Sequence, residues 1–213
     1  MQNNASEFLE LAFWALAAIF LVSAILEQRR LAVLTKTEQR LGVQERHLAF
    51  NRNTVRAVTG GRLILCEPDE LHSLISGERL WTLPLLQDTD VSLFRTHLRE
   101  IASRRGFSNP RMDDLCSCVT EAAANAVHHG HGGIAQVWGN SDGLAILVSD
   151  NGQGLSPNSL LTDSMGMGFM MMLAMADQIA LSTSAEGTEI LLIIQNRVRS
   201  FAEDHYLTCM AAA

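Results

Sequence analysis

The first hydrophobic pattern along the chain is an unbroken block. Residues 11 to 26, LAFWALAAIFLVSAIL, carry no charge, and Phe8 and Leu9 extend the apolar run across residues 8 to 26 with only Glu10 interrupting it. At about 1.5 Å per residue such a helix covers roughly 28 Å, close to a hydrocarbon thickness of about 30 Å. Leu9, Phe13, Leu16 and Phe20 fall on one side of it and Trp14, Leu21 and Ile25 on others. A helix packed on a soluble core would keep a polar face. The pattern therefore predicts a transmembrane helix within residues 1–26, with a buried or dimerising helix as the alternative. No Lys or Arg precedes the block, while Arg29, Arg30, Lys36 and Arg40 follow it. That asymmetry predicts a single-pass protein of the cytoplasmic membrane with all later residues on the cytoplasmic side, the alternative being a cytoplasmic protein.

The pattern then changes period. Residues 27–58 are charged and lack proline, and Leu31, Leu34, Leu41, Leu48 and Val55 recur at helical spacing, which predicts a helical linker or short coiled coil. Gly60-Gly61 ends it. Residues 59–77 read as a small strand-helix segment, RLILC followed by PDELHSLI. From residue 78 come a strand (RLWTLPLL), a helix over residues 90 to 104 and a turn at Gly106. A second helix opens with Asn109 as the capping residue before Pro110 and runs to about Val127. The strands GIAQVWG and GLAILVSD follow, joined by a hairpin turn at Asn140-Ser141-Asp142-Gly143. A helix over residues 168 to 177 and the strands IALSTS and TEILLII complete a domain spanning 78–196, with residues 197–213 as a tail. The order predicts an α/β two-layer sandwich, helices on one face of a mostly antiparallel sheet.

Composition narrows the function classes. With 47% hydrophobic and 18% charged residues in 213, the chain can build one real core. Sixteen Lys and Arg against 23 Asp and Glu give a net charge of −7, so nothing marks a nucleic-acid surface. Cys66, Cys116, Cys118 and Cys209 fit no zinc-ligand spacing and read as buried or idle thiols. His128, His129 and His131 could suggest a metal, but their place after a helix is better read as helix termination. Methionines 165, 167, 170, 171, 172 and 175 could form an adaptable partner groove, and at helical spacing are better read as core. His47 could accept phosphate only within a helical hairpin, for which the linker has no room.

Four short motifs carry chemistry. Glu121 and Asn125, at spacing i, i+4, stack on one helix face, where a carboxylate beside a carboxamide can serve as a base next to a metal ligand. Alone, the pair could be a solvated polar stripe. Asp150 ends a strand and is followed by Asn151-Gly152-Gln153-Gly154, so an acceptor carboxylate lies where bare backbone lets a planar ligand approach. Gly166-Met167-Gly168 opens a helix, whose free N–H groups and dipole favour an anion. Gly187-Thr188 precedes the last strand, with a hydroxyl that can bond to a ligand or to backbone.

In this order the motifs VTEAAANAVHHG, SDNGQG, SMGMGFMMMLAMADQI and GTEI resemble the Bergerat-fold (GHKL) ATPase superfamily over roughly residues 78 to 196. Within it the likeness is nearest to bacterial anti-sigma factor serine/threonine kinases. The resemblance implies ATP and magnesium as cofactors. It implies Glu121 as general base, Asn125 as magnesium ligand and Asp150 as acceptor of the adenine amino group. Gly152 and Gly154 would shape the adenine pocket, Gly166 and Gly168 would meet the phosphates, and Thr188 would support the adenine end. The implied partners are a STAS-type anti-anti-sigma protein, phosphorylated on serine or threonine, and a sigma factor, so that the chain regulates transcription as a homodimer. Two alternatives stay open: a non-catalytic, ATP-gated partner-binding module, and the ATPase half of a degenerate histidine kinase. Leu155 to Met165 contains no Lys or Arg to meet a γ-phosphate, which favours the binding module, whereas the intact Glu121 favours the kinase.

Overall fold

A computed structural model describes residues 26–30, 52–155 and 166–197. The chain divides into two compact units, Met1–Asn51 and Arg52–Ala213. Of the first, residues 26–30 are described; they are helical and exposed. The predicted apolar block up to residue 25, His47, Met165 and Cys209 lie outside the described residues.

The expected localisation at the cytoplasmic membrane is corrected, while the apolar block that suggested it falls, but for residue 26, outside the described residues. Among the described residues no helix is long and apolar enough to cross a membrane. A span needs about 20 apolar residues in a row, and the long described helices carry charge throughout, as Arg111, Asp113, Asp114 and Glu121 do within one of them.

The second unit is built on a six-stranded sheet. In chain order its elements are α1 (residues 52–58), β1 (Leu63–Leu65), α2 (Pro68–Ser73), β2 (Glu78–Leu85), α3 (Asp88–Arg104), α4 (Asn109–His128), β3 (Gly133–Gly139), β4 (Gly143–Asp150), α5 (Met167–Met175), β5 (Gln178–Ser184) and β6 (Gly187–Gln195). The strand order is β1-β5-β6-β4-β3-β2. Every pairing is antiparallel except β1 with β5, which run parallel with Ile64 opposite Ala180. The fold is thus mixed α/β, with residues 63–65 in the same sheet as the strands after residue 78.

Alternation along β4 sets the two sides of the core. Leu144, Ile146 and Val148 point to one face, where Phe94 and Leu98 of α3, Leu115 and Val119 of α4 and Met172 of α5 cover them. Ala145 and Leu147 point to the other, joining Cys66, Ala180, Leu191 and Leu71 of α2 in a smaller cluster. The helices are therefore not confined to one face. The central strands are apolar on both sides, so the second face needs cover, and the short α2 supplies it in part. Ala122, Ala123 and Ala126 let α4 press closely on the sheet, and all three are buried.

Local chemistry sets the boundaries. Asn140 Oδ1 accepts hydrogen bonds from the N–H groups of Asp142 (2.8 Å) and Gly143 (3.0 Å), closing the β3–β4 turn. The capping residue of α4 is Ser108, one position before the expected Asn109, with Pro110 still in the first turn. Arg111 sits in that same turn although a cation is unfavourable near a helix N-terminus. Its side chain is buried and bonds to Asp114 (2.8 Å), Asp177 and the carbonyl of Met175 (3.1 Å).

Candidate functional site

The C-terminal half of α4, the end of β4 with the turn after it, the start of α5 and the start of β6 enclose one cavity of about 390 Å³. Glu121, Asn125, Asp150, Gly152, Gly154, Gly166 and Thr188 all line it, so seven positions named from four separate motifs meet around a single space. The eighth, Gly168, is set by Glu121: a Cβ at position 168 would stand 1.8 Å from the Glu121 Oε1. Only a bare backbone lets that carboxylate lie against the first turn of α5.

Helical geometry puts Glu121 and Asn125 one turn apart, and Asn125 Nδ2 donates to Glu121 Oε1 at 3.2 Å. The amide is thereby oriented, and among the described residues its Oδ1 accepts no hydrogen bond. Asp150 is held from two directions. Its Oδ1 accepts from the backbone N–H of Gly152 (2.9 Å) and of Thr188 (3.0 Å), while among the described residues no hydrogen bond reaches Oδ2. Two N–H donors on one oxygen fix the carboxylate plane and leave the second oxygen as an acceptor.

The turn after β4 is tied to the far strand. Thr183 Oγ1 accepts from the N–H of Leu155 at 2.6 Å and lies 3.5 Å from Thr188 Oγ1. Gly154 has φ +68°, and a Cβ there would stand 2.0 Å from the carbonyl oxygen of Ser184. No other residue makes that approach without moving β5. Val148, Leu181 and Ile190 from three neighbouring strands, with Phe169 and Met172 from α5, give the cavity an apolar wall. A planar, largely apolar ring with one polar edge fits such a wall beside one fixed acceptor, and the volume falls in the range of small-molecule sites.

At the other end the capping position of α5 is Gly166, which makes no side-chain capping bond. The first N–H groups of that helix therefore lack a side-chain partner, an arrangement that suits an anion. Among the residues lining the cavity the basic side chain is His129, against the carboxylates of Glu121 and Asp150. His129 was read from the sequence as part of helix termination. Its position one turn beyond Asn125 is the signal that places it on the same helix face.

The remaining features divide. His128 pairs with Asp88 at 2.6 Å, and among the described residues no group of three or more His, Cys, Asp and Glu is arranged to hold a metal by itself. Cys66, Cys116 and Cys118 are buried, and burial pushes the thiols of Cys66 and Cys116 up, with Glu70 adding to the effect at Cys66. Met172 is core, as expected, but Met167 is 89% and Met170 49% exposed. The segment MGFMMMLAM is apolar all round, and a helix lying on one side of a sheet cannot bury every face.

With this geometry the comparisons with known proteins agree. The model of the Histidine kinase-like ATPase domain matches residues 84–194, and the chain belongs to that family, within the GHKL superfamily. Its likeness within the superfamily is to serine-protein kinases. The chain is 35% identical over 75 residues to the serine-protein kinase RsbW of Bacillus cereus (strain AH187) and to that of Bacillus thuringiensis subsp. konkukian (strain 97-27). Each match covers 33% of this chain and 47% of the relative, so it spans less than half of those proteins' length. Among solved structures, the RsbU and RsbW domains of a Mycobacterium tuberculosis protein match at 20% identity and a TM-score of 0.41, over 56% of this chain and 34% of that one.

Proposed function

We propose that this chain is an ATP-binding regulatory protein that transfers the γ-phosphoryl group to a serine or threonine of a STAS-type anti-anti-sigma partner and thereby controls a sigma factor. The observation that supports this best is the convergence of Glu121, Asn125 and Asp150 with the glycine-led start of α5 around one cavity. The family and the likeness to serine-protein kinases support the same reading.

In this reading Asp150 Oδ2 accepts from the exocyclic amino group of adenine, while Gly152 and Thr188 hold Oδ1. Gly154 keeps the turn close enough to β5 to bound the ring pocket, and Val148, Leu181 and Ile190 take its apolar face. The N-terminal turn of α5 from Gly166 to Gly168 faces the phosphates with its backbone N–H groups. The donor set fits magnesium: Asn125 Oδ1 offers one neutral oxygen, and a bound ion, completed by phosphate oxygens and water, would supply the charge neutralisation that the cavity's acidic side chains lack. Glu121 takes the proton from the attacking hydroxyl as the general base. Its carboxylate is held by Asn125 on one side and by the close approach to Gly168 on the other. The protein works as a homodimer in this reading.

A second reading keeps the nucleotide and drops the chemistry: an ATP-gated binding module. The composition of Leu155 to Met165, without Lys or Arg, is what favours it. Transfer of radiolabelled phosphate from ATP to a STAS-type protein separates the two. Glu121→Ala should slow transfer by about 10²- to 10⁴-fold while leaving ATP affinity little changed. Wild-type protein that binds ATP and partner but transfers no phosphate leaves the gated module standing.

A further inference from the structure

The nucleotide reading leaves the methionines of α5 without a role. Met167 and Met170 are exposed, Met171 and Met175 are half-buried, and Met172 is 1% exposed. The helix therefore carries the same side chain at full, partial and no access to solvent.

Access decides which sulfur an oxidant meets. Cys66, Cys116 and Cys118 are buried. Burial also pushes the thiols of Cys66 and Cys116 up, which depletes the thiolate, the form that reacts. A thioether has no proton to lose, so exposure alone governs it. Among the described residues, the cysteine and methionine sulfurs open to solvent are those of Met167 and Met170.

Their place in the fold gives oxidation a consequence. Met167 stands between Gly166, which lines the cavity, and Gly168, against which the Glu121 carboxylate lies. Met170 is one turn further on, and helical side chains slant toward the N-terminus, so both side chains belong to the first turn of α5. The N–H groups of that turn have no side-chain cap. A thioether sulfur is a weak acceptor and leaves them for an anion. A sulfoxide is polar, and its oxygen sits on an unbranched side chain with three rotatable bonds. Oxidation supplies the side-chain acceptor that the turn lacks, in competition with a phosphate.

We propose that Met167 and Met170 form a reversible oxidation site at which a peroxide lowers the nucleotide affinity of the cavity. The sulfur lone pair attacks one peroxide oxygen, and the S–O bond forms as the O–O bond breaks. Sulfur gives two electrons to the peroxide, and the proton on the attacked oxygen passes to the leaving oxygen, so the products are sulfoxide and water. A dithiol returns the two electrons through a methionine sulfoxide reductase, and the oxygen leaves as water. The site itself rests on exposure, and its effect on affinity rests on the nucleotide reading.

The test treats the full chain with increasing hydrogen peroxide. Peptide mass spectrometry reads which methionines gain oxygen, calorimetry reads the affinity for a non-hydrolysable ATP analogue, and thermal unfolding is followed on the same samples. Met167 and Met170 should be oxidised before Met172 and Met175. Affinity should then fall about tenfold, the size of one hydrogen bond, at an unchanged unfolding temperature. Sulfoxide reductases with dithiothreitol should restore it, and dithiothreitol alone should not. A Met167→Leu, Met170→Leu double variant should lose no affinity on the same treatment, whatever its starting value. Oxidation of Met172 as early as Met167, unchanged affinity in the oxidised protein, or an equal loss in the double variant overturns the proposal. Failure of untreated protein to bind the analogue removes the nucleotide reading instead, and the order of oxidation still decides whether the site exists.

Discussion

The two ends of α5 are built in opposite ways. At its C-terminus the carbonyls are saturated by cations from distant parts of the chain. Arg62 donates to Leu173 (2.6 Å), Ala174 (3.1 Å) and Ala176 (2.8 Å), and Arg111 to Met175 (3.1 Å). At its N-terminus there is a glycine, no side-chain cap, and a methionine that is 89% exposed. Cations near the C-terminus complement the helix dipole, and bare N–H groups at the other end are left for an anion. The difference teaches that α5 is fixed at the end remote from the cavity, so the end that borders it can do without a side-chain cap. The helix is a positioned donor, and the position comes from Arg62 and Arg111.

Breaking the anchored end should have the largest effect. Arg111→Ala leaves Asp177, whose side chain is 10% exposed, without its guanidinium next to a buried helix end. Removing one partner of a buried pair costs about 3–5 kcal/mol, to be read as a lower midpoint in urea unfolding. Next comes the open end. In Gly168→Ala the new methyl group must displace the Glu121 carboxylate, which is the far end of a flexible side chain. Stability should change by less than about 1 kcal/mol, while phosphotransfer falls by about 100-fold, as misplacement of a reacting group by an ångström can do. A fall in stability with transfer intact would place the requirement for glycine in packing instead. Arg62→Ala removes charge-assisted bonds to two carbonyls of α5 and to that of Ala176, which caps it. It should cost about 1.5–3 kcal/mol, visible as faster amide exchange in residues 167–175. The smallest effect belongs to Gly166→Ala. Gly166 has φ −54°, and a Cβ there meets nothing within 4 Å. The loss is confined to capping preference, at most about 1 kcal/mol by thermal unfolding.

The sequence made the two glycines of Gly166-Met167-Gly168 look equivalent, because spacing alone does not say what lies opposite each. The Glu121–Gly168 contact joins residues far apart in the chain and appears only once α4 and α5 pack. The local elements were legible: α4, the β3–β4 hairpin and the strands from β2 onward follow from periodicity, proline and turn residues, which act over a few positions. The parallel pairing of β1 with β5 was not, since a three-residue strand carries no mark of a partner more than a hundred residues away. The cover that α2 gives the second face of the sheet was hidden for the same reason. Arg111 did leave a trace. A cation in the first turn of a helix runs against the dipole, and such a local conflict points to a tertiary partner, here Asp177 and the end of α5. The polar residues of the cavity were legible because Glu121 and Asn125 share one helix face and Asp150, Gly166 and Thr188 lie where an element ends or opens. Its apolar wall was not, since Val148, Leu181 and Ile190 read as ordinary core positions in strands.

The most direct test is the ATP affinity of Asp150→Asn by calorimetry. Asparagine keeps an acceptor oxygen for the N–H groups of Gly152 and Thr188, so the turn after β4 and the start of β6 should stay in place. What changes is the second oxygen, which becomes a donor facing the donor edge of adenine. Loss of a charge-assisted bond of about 1.5–3 kcal/mol should weaken ATP binding by about 10- to 150-fold, with unfolding temperature unchanged. An Asp150→Asn variant that is folded and binds ATP as wild type does would contradict the assignment of this cavity to the nucleotide.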